Sequence, residues 1–174
     1  MRWKPILMTL AVAFGVAVLV NWAILGLFDQ KSAARAEHSL VGIILLMTYA
    51  RFVEQQDTRL GALAFFMLAL IPCYLGTVSP DLDITLLGIG AHRNPLFHSS
   101  LSFFVLLGLV NRQHVILRTL VLGYGVGLAS HLFWDMLYYG NVRWLPGGWL
   151  DRLWLGANGV ACLVPLLINS KRSN

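Results

Sequence analysis

Six apolar stretches separated by short polar segments organise this chain. The first runs from Pro5 to Phe28 and is interrupted only by Thr9 and Asn21. A polar linker, Asp29 to Glu37, follows it. The second stretch, Leu40 to Val53, is short for a bilayer crossing and carries Arg51 near its end. Snorkelling of that side chain and the preceding His38-Ser39 extend it. The third runs from Leu60 to Val78, the fourth from Leu96 to Val110, and the fifth from Val115 to about Tyr139. Pro146-Gly147-Gly148 marks a turn, and the sixth stretch is Leu153 to Ile168. A helix needs about 20 apolar residues to cross a bilayer. The pattern therefore predicts an all-α, polytopic membrane protein with about six transmembrane helices (five to six). It reads as a single integral membrane domain over 1–174, in which 1–36 form an extra N-terminal transmembrane helix and linker. The first stretch is too long for a signal peptide and lacks a small-residue cleavage site.

Composition agrees with this reading. Hydrophobic residues make up 57% of the chain and charged residues 12%, about half the charge of an average soluble domain. That excludes disorder and an ordinary cytosolic enzyme. The net charge of +5 is not gathered into a Lys/Arg run, so no nucleic-acid partner is expected. The expected partner is the lipid bilayer. Cys73 and Cys162 both lie in apolar stretches and read as small buried hydrophobes. Eight Lys/Arg fall on the side of the two termini and five on the opposite side. This bias puts both termini in the cytoplasm and the opposite loops outside.

Charge inside or beside an apolar span is costly, so the few exceptions are informative. His38 begins the second span on the outer side. Asp81 and Asp83 follow the third span, which exits there. His92, Arg93 and His98 lead into the fourth span from that side, and His131 and Asp135 lie in the second half of the fifth. All of them gather on one face of the membrane. Three of the six Asp in the chain fall in this set. Imidazole with carboxylate suits zinc, or manganese and iron where more oxygen donors take part. His131 and Asp135 are four apart on a helix and share a face. Asp81 and Asp83 straddle one residue, so one can bridge ions while the other orients a ligand histidine. The set has room for one or two ions. Arg93 is the cation of the long loop, and a guanidinium beside metal suits a phosphate oxyanion.

Blander roles compete at several positions. His38 and His92 can be satisfied caps or loop residues, and Asp81 with Asp83 can be a solvated helix end. His131 with Asp135 can be a hydrogen-bonded packing pair. His114 lies on the opposite face and reads as a plain surface residue. Asn21 and Asn158 read as packing polars, and Asp151 beside Arg152 as an interfacial ion pair. Gly123, Gly125 and Gly127 allow close helix packing rather than forming a dinucleotide fingerprint.

These pieces are His38-Ser39-Leu40-Val41-Gly42, Ser79-Pro80-Asp81-Leu82-Asp83, His92-Arg93 with Phe97-His98-Ser99, and Ser130-His131-Leu132-Phe133-Trp134-Asp135. In order and spacing they resemble the YdjM-like inner-membrane metal-dependent hydrolases, over roughly Glu37 to Gly148. The span preceding His38 departs from that pattern, as does Phe97. That family is in turn distantly similar to zinc-dependent phospholipase C and single-strand nucleases. The resemblance implies metal ligands at His38, Asp81, His98, His131 and Asp135. It implies substrate-contacting or ligand-orienting groups at Asp83, His92 and Arg93, a catalytic set beside the metal. Residues 37–148 would then be the metal-site core. The expected protein is a multi-pass hydrolase of the bacterial inner (cytoplasmic) membrane whose site faces the periplasmic side. Its divalent metal, zinc before manganese or iron, would activate water against a phosphate ester or diphosphate on a lipid or similar amphiphile. The rival expectations are a metal-ion or solute transporter using the same cluster and a non-catalytic membrane scaffold.

Overall fold

The computed structural model describes residue 19 and residues 30–52, 59–110, 114–143 and 145–169. The first apolar stretch, apart from residue 19, lies outside the described residues. Among the described residues the fold is all-helical and has no strand. The helices are α1 (Gln30–Phe52), α2 (Arg59–Val78), the short α3 (Leu82–Leu87) with a 3₁₀ turn (Ile89–Ala91), α4 (Leu101–Leu109), α5 (Val115–Tyr138) and α6 (Trp149–Asn169).

The last helix begins at Trp149, four residues before the expected Leu153, and two boundaries differ more. The polar linker is helical from Gln30 onward. Lys31, Ala33, Ala34, Arg35 and Glu37 all favour helix, and with no Gly or Pro the helix runs through the change in polarity. The fourth stretch, expected as a span from Leu96, becomes helical only at Leu101. Local side-chain bonds take the helix's place before that point. Asn94 Oδ1 accepts from the Leu96 amide at 2.9 Å, the Ser99 hydroxyl donates to the Leu96 carbonyl at 2.7 Å, and Ser99 Oγ accepts from the Leu101 amide at 3.3 Å. The nine residues of α4 rise only about 13 Å, less than half a bilayer's apolar core. Of the described helices, Val115–Tyr138 is the one both long and apolar enough to cross a membrane, with shorter apolar helices at Ala36–Ala50 and Leu63–Val78.

Helix α5 is the hub. It packs against α1, α2, α4 and α6, and every residue from Gly125 to Leu132 is buried. The core around it includes Leu46, Ala69, Cys73, Phe103, Val126, Leu128, Leu132, Leu155 and Cys162. Both cysteines are buried and unbridged, as their apolar context predicts. The α2–α5 contact is unusually close. A Cβ on Gly127 would stand 1.9 Å from the Cys73 carbonyl oxygen, and one on Gly123 would stand 2.7 Å from that of Ala69. Gly125 makes room instead for the Phe103 ring of α4. The expected role of these glycines in close packing is met, and it has a consequence for chemistry. It holds the end of α2 directly against the half of α5 that carries His131 and Asp135.

Glycine substitutions should separate this role from simple helix propensity. Gly127→Ala forces α2 and α5 apart and should cost about 1–3 kcal/mol. Gly108→Ala in α4 meets nothing within 4 Å and should stabilise by about 0.5–1 kcal/mol. Thermal unfolding of the purified variants reads the two signs directly. Equal effects would contradict the packing assignment.

Candidate functional site

The site forms where the C-terminal end of α2, the N-terminal half of α1, the C-terminal half of α5 and the loop after α3 meet. His131 and Asp135 lie on one face of α5, with His131 Nε2 3.5 Å from Asp135 Oδ2. Helix α2 ends at Val78, so its last carbonyls lack helical partners. One of them, on Thr77, accepts a hydrogen bond from His131 Nδ1 at 2.7 Å. That bond assigns the proton to Nδ1 and leaves the Nε2 lone pair facing Asp135. From α1, the His38 ring stacks on His131 with centroids 4.1 Å apart. Its Nε2 lies 3.8 Å from Asp135 Oδ1.

The loop supplies the remaining groups. Asp83 is fully buried, and both of its oxygens are engaged. Oδ1 accepts from His92 Nδ1 at 3.2 Å, and Oδ2 accepts from the Asn94 amide at 3.0 Å. His98 Nδ1 approaches the same Oδ2 at 3.4 Å, while His98 Nε2 lies 3.4 Å from Asp135 Oδ2. Asp81 is more open. Its Oδ1 lies 3.9 Å from His92 Nδ1 and 4.0 Å from His131 Nε2. The loop is bolted to α6: the Trp154 indole donates to the His98 carbonyl at 2.9 Å, and Asn158 Oδ1 accepts from both the amide and the hydroxyl of Ser100 at 2.9 Å. Asn158 is thus the packing polar that the sequence suggests.

Arg93 sits at φ +62°, a left-handed conformation that costs a non-glycine residue energy and needs support. The support comes from the turn after α5. The Arg143 amide donates to the Arg93 carbonyl at 2.8 Å. Arg93 Nη1 donates to Asn141 Oδ1, and its guanidinium lies 4.2 Å over the Tyr139 ring. Arg93 Nε is then 3.9 Å from Asp135 Oδ2. Asp151 holds this turn, accepting from the Val142 amide at 2.8 Å and the Gly147 amide at 3.1 Å. That replaces the expected interfacial ion pair with Arg152. The carboxylate is buried because it satisfies two loop amides.

All eight residues singled out in the sequence are therefore brought together, and His114 lies apart, exposed at the start of α5. Sequence reading missed Thr77, Asn94, Tyr139 and Asn141. Thr77 and Asn94 act here through backbone groups, which leave no side-chain signature. Tyr139 and Asn141 lie just past Asp135 and carried a usable signal in that proximity. Glu37, next to His38, was missed too. It accepts from the Trp134 indole at 3.0 Å.

The cluster is not a satisfied hydrogen-bond network. His38 Nδ1, both nitrogens of His98, His131 Nε2 and Arg93 Nε are buried without a hydrogen-bond partner. The approaches of 3.4–4.0 Å between nitrogen and carboxylate exceed a good hydrogen bond. A tetrahedral cation bonded at about 2.0–2.2 Å sets its ligand atoms about 3.3–3.5 Å apart, the spacing of His98 and His131 around Asp135 Oδ2. Three overlapping groups have donor atoms mutually within 4.8 Å: His38, His131 and Asp135; Asp81, His98 and His131; Asp83, His92 and His98. The donor set fits a divalent metal. Because Asp83 is committed to His92 and Asn94, it suits holding imidazoles in place. Asp81 and Asp135 have the oxygens to spare.

Electrostatics in the loop favour a positive charge between the two carboxylates. Burial works against the charge on Asp83, but His98, the Asn94 amide and His92 outweigh it and hold its carboxyl down to about 2. Burial likewise opposes a charged His98, yet the Asp135 and Asp83 carboxylates raise its imidazole to about 9. A proton on His98 and a cation between these groups answer the same negative potential, so they are alternatives.

A family model described as a domain of unknown function, DUF5942, matches residues 60–174. The chain belongs to this family. No curated protein and no solved structure matches it. The DUF5942 match takes in Asp81, Asp83, His92, Arg93, His98, His131 and Asp135 but not His38, which α1 brings in from outside the matched segment.

Asp83→Asn keeps the volume and removes the charge that holds His92 and His98. It should weaken zinc binding about 10–100-fold, read by competition with a chromophoric chelator, while His114→Ala leaves affinity unchanged. Equal affinity in Asp83→Asn would contradict the orienting role.

Proposed function

We propose that this DUF5942 chain is a polytopic membrane metallohydrolase of five to six spans that cleaves a phosphate ester or diphosphate on a lipid-type substrate. The observation that carries the reading is the buried set of unpartnered imidazole nitrogens around Asp135. The membrane placement is supported by an inside-out distribution of side chains. Large apolar residues such as Met67, Ile71, Leu109, Val115 and Ile116 are more than half exposed, whereas His98, His131, Asp83 and Asp135 are buried. Helices α1, α2, α5 and α6 have 23, 20, 24 and 21 residues, enough to cross an apolar core of about 30 Å. The similarity to YdjM-like hydrolases, an inner-membrane location and an outward-facing site belong to the same proposal.

In this reading His38, Asp81, His98, His131 and Asp135 hold the metal, zinc before manganese or iron. The metal would supply a water made acidic enough to ionise near neutral pH and a Lewis acid for the phosphoryl oxygen. The chain's own residues do the rest. Exposure rises toward one side of the cluster: the side chains of Asp81, His92 and Arg93 are 30%, 25% and 19% accessible, against 7% or less for His38, His98, His131 and Asp135. Substrate approaches from that side. Arg93, held over Tyr139 and tied to Asn141, binds the phosphoryl oxygens through its guanidinium. His92, its Nδ1 bonded to Asp83, carries the proton for the leaving oxygen at Nε2. A site at one end of the helices, rather than at mid-depth between repeats, favours hydrolysis over transport.

The test is phosphate release from lipid phosphates and diphosphates by protein purified in detergent. Activity should vanish with chelator and in His131→Ala and Asp135→Ala, and fall about 10²–10³-fold in Arg93→Ala. Activity that survives His131→Ala and Asp135→Ala would overturn the enzyme reading. Metal flux into proteoliposomes without hydrolysis would favour a transporter.

A further inference from the structure

The chain that links Asp83 to His92 has an unexpected outer face. Asp83 points inward and is fully buried, but its neighbours Leu82, Leu86, Leu87 and Ile89 are 48%, 66%, 53% and 73% exposed. Leu96, beyond Arg93, is 62% exposed. From Ile84 to Ala91 no residue carries a charge. A water-facing loop shows the reverse arrangement, and an exposed run of this kind marks an interaction surface.

What covers it is indicated by its surroundings. The apolar strip continues onto α4, where Leu101, Val105 and Leu109 lie four apart on one exposed face. At the same end of the helices, Tyr138, Tyr139 and Trp149 are exposed, the aromatic types that collect at headgroup level. Arg143 and Arg152 are exposed beside them and complement anionic headgroups. A lipid surface matches all three features together: an aliphatic strip, exposed aromatics and exposed cations at one end of the helices.

We infer that Leu82–Leu96 is a membrane-inserted strap, its aliphatic side chains set into the upper acyl region of one leaflet with the open side of the donor cluster at headgroup depth. This rests on the membrane reading proposed above and deepens it by naming the route of access. The phosphate of an amphiphile resident in that leaflet reaches Arg93 without leaving the bilayer.

The two native cysteines are buried, so an introduced cysteine takes the label. The full chain carrying Ile89→Cys is labelled with an environment-sensitive fluorophore and reconstituted into vesicles of mixed phosphatidylcholine and phosphatidylglycerol. Ile71→Cys on α2, 71% exposed in the native chain, serves as reference. The strap predicts that both labels are quenched by nitroxide lipids, position 89 more strongly by the headgroup-proximal nitroxide. Iodide quenching of both should be several-fold weaker than for the free conjugate. Lipid quenching at 71 with iodide quenching alone at 89 overturns the strap and leaves the membrane reading standing. Iodide quenching alone at both positions overturns the membrane reading itself. A label at 89 shielded from both quenchers places protein, such as a second copy, on this face and overturns the strap.

Discussion

A carboxylate taken out of water costs several kcal/mol unless partners replace its hydration, and this fold buries three at one end of an apolar bundle: Asp151, which two loop amides satisfy, and the pair in the cluster, Asp83 and Asp135. The two are treated differently. Asp83 is compensated by hydrogen bonds from His92 and the Asn94 amide. Asp135 is surrounded by His38, His98, His131 and Arg93 at 3.4–3.9 Å, close enough for strong attraction but too far for good hydrogen bonds. The His98 and His131 nitrogens that face it are left without partners. A buried polar network that stays half-satisfied is a liability unless something else completes it. The rest of the molecule follows from how this end of the bundle is held together.

Small residues let α2 lie against α5 at backbone distance, which delivers the Thr77 carbonyl to His131 Nδ1. Helix α6 reaches across to the loop through Trp154 and Asn158 and fixes the backbone at His98 and Ser100, on either side of Ser99. Asp151, at the start of α6, pins the turn whose Tyr139, Asn141 and Arg143 hold Arg93 in its left-handed conformation. The donor set is thus preorganised by four helices and two loops. A left-handed arginine held from three directions is the kind of strain that persists where the surrounding structure over-determines it.

Much of this was legible in the sequence, because charge is so scarce that its placement carries information. His131 and Asp135 follow from helical spacing alone. Their convergence with His38, Asp81, Asp83, His92, Arg93 and His98 was expected from treating the apolar stretches as alternate crossings. Spacing left the roles of Asp81 and Asp83 open, since both are acids on one turn, and the family resemblance alone assigned Asp81 to the metal and Asp83 beside it. In the structure they differ in that Asp83 is buried with both oxygens committed, whereas Asp81 is more open. Hydropathy misjudged the fourth stretch, because Leu96 and Phe97 read as membrane residues while Asn94 and Ser99 were already bonding the backbone out of a helix. Asp151 was misread for a similar reason: its neighbour in sequence is Arg152, but its partners are amides of the turn that folds back over it.

The central claim is that the unpartnered nitrogens around Asp135 are cation ligands. Crystals of the protein grown with zinc, with anomalous diffraction recorded on both sides of the zinc edge, test it most directly. The account predicts an anomalous peak within bonding distance of Asp135, His98 Nε2 and His131 Nε2. An empty position there, with His98 and His131 hydrogen-bonded directly to Asp135, would contradict it.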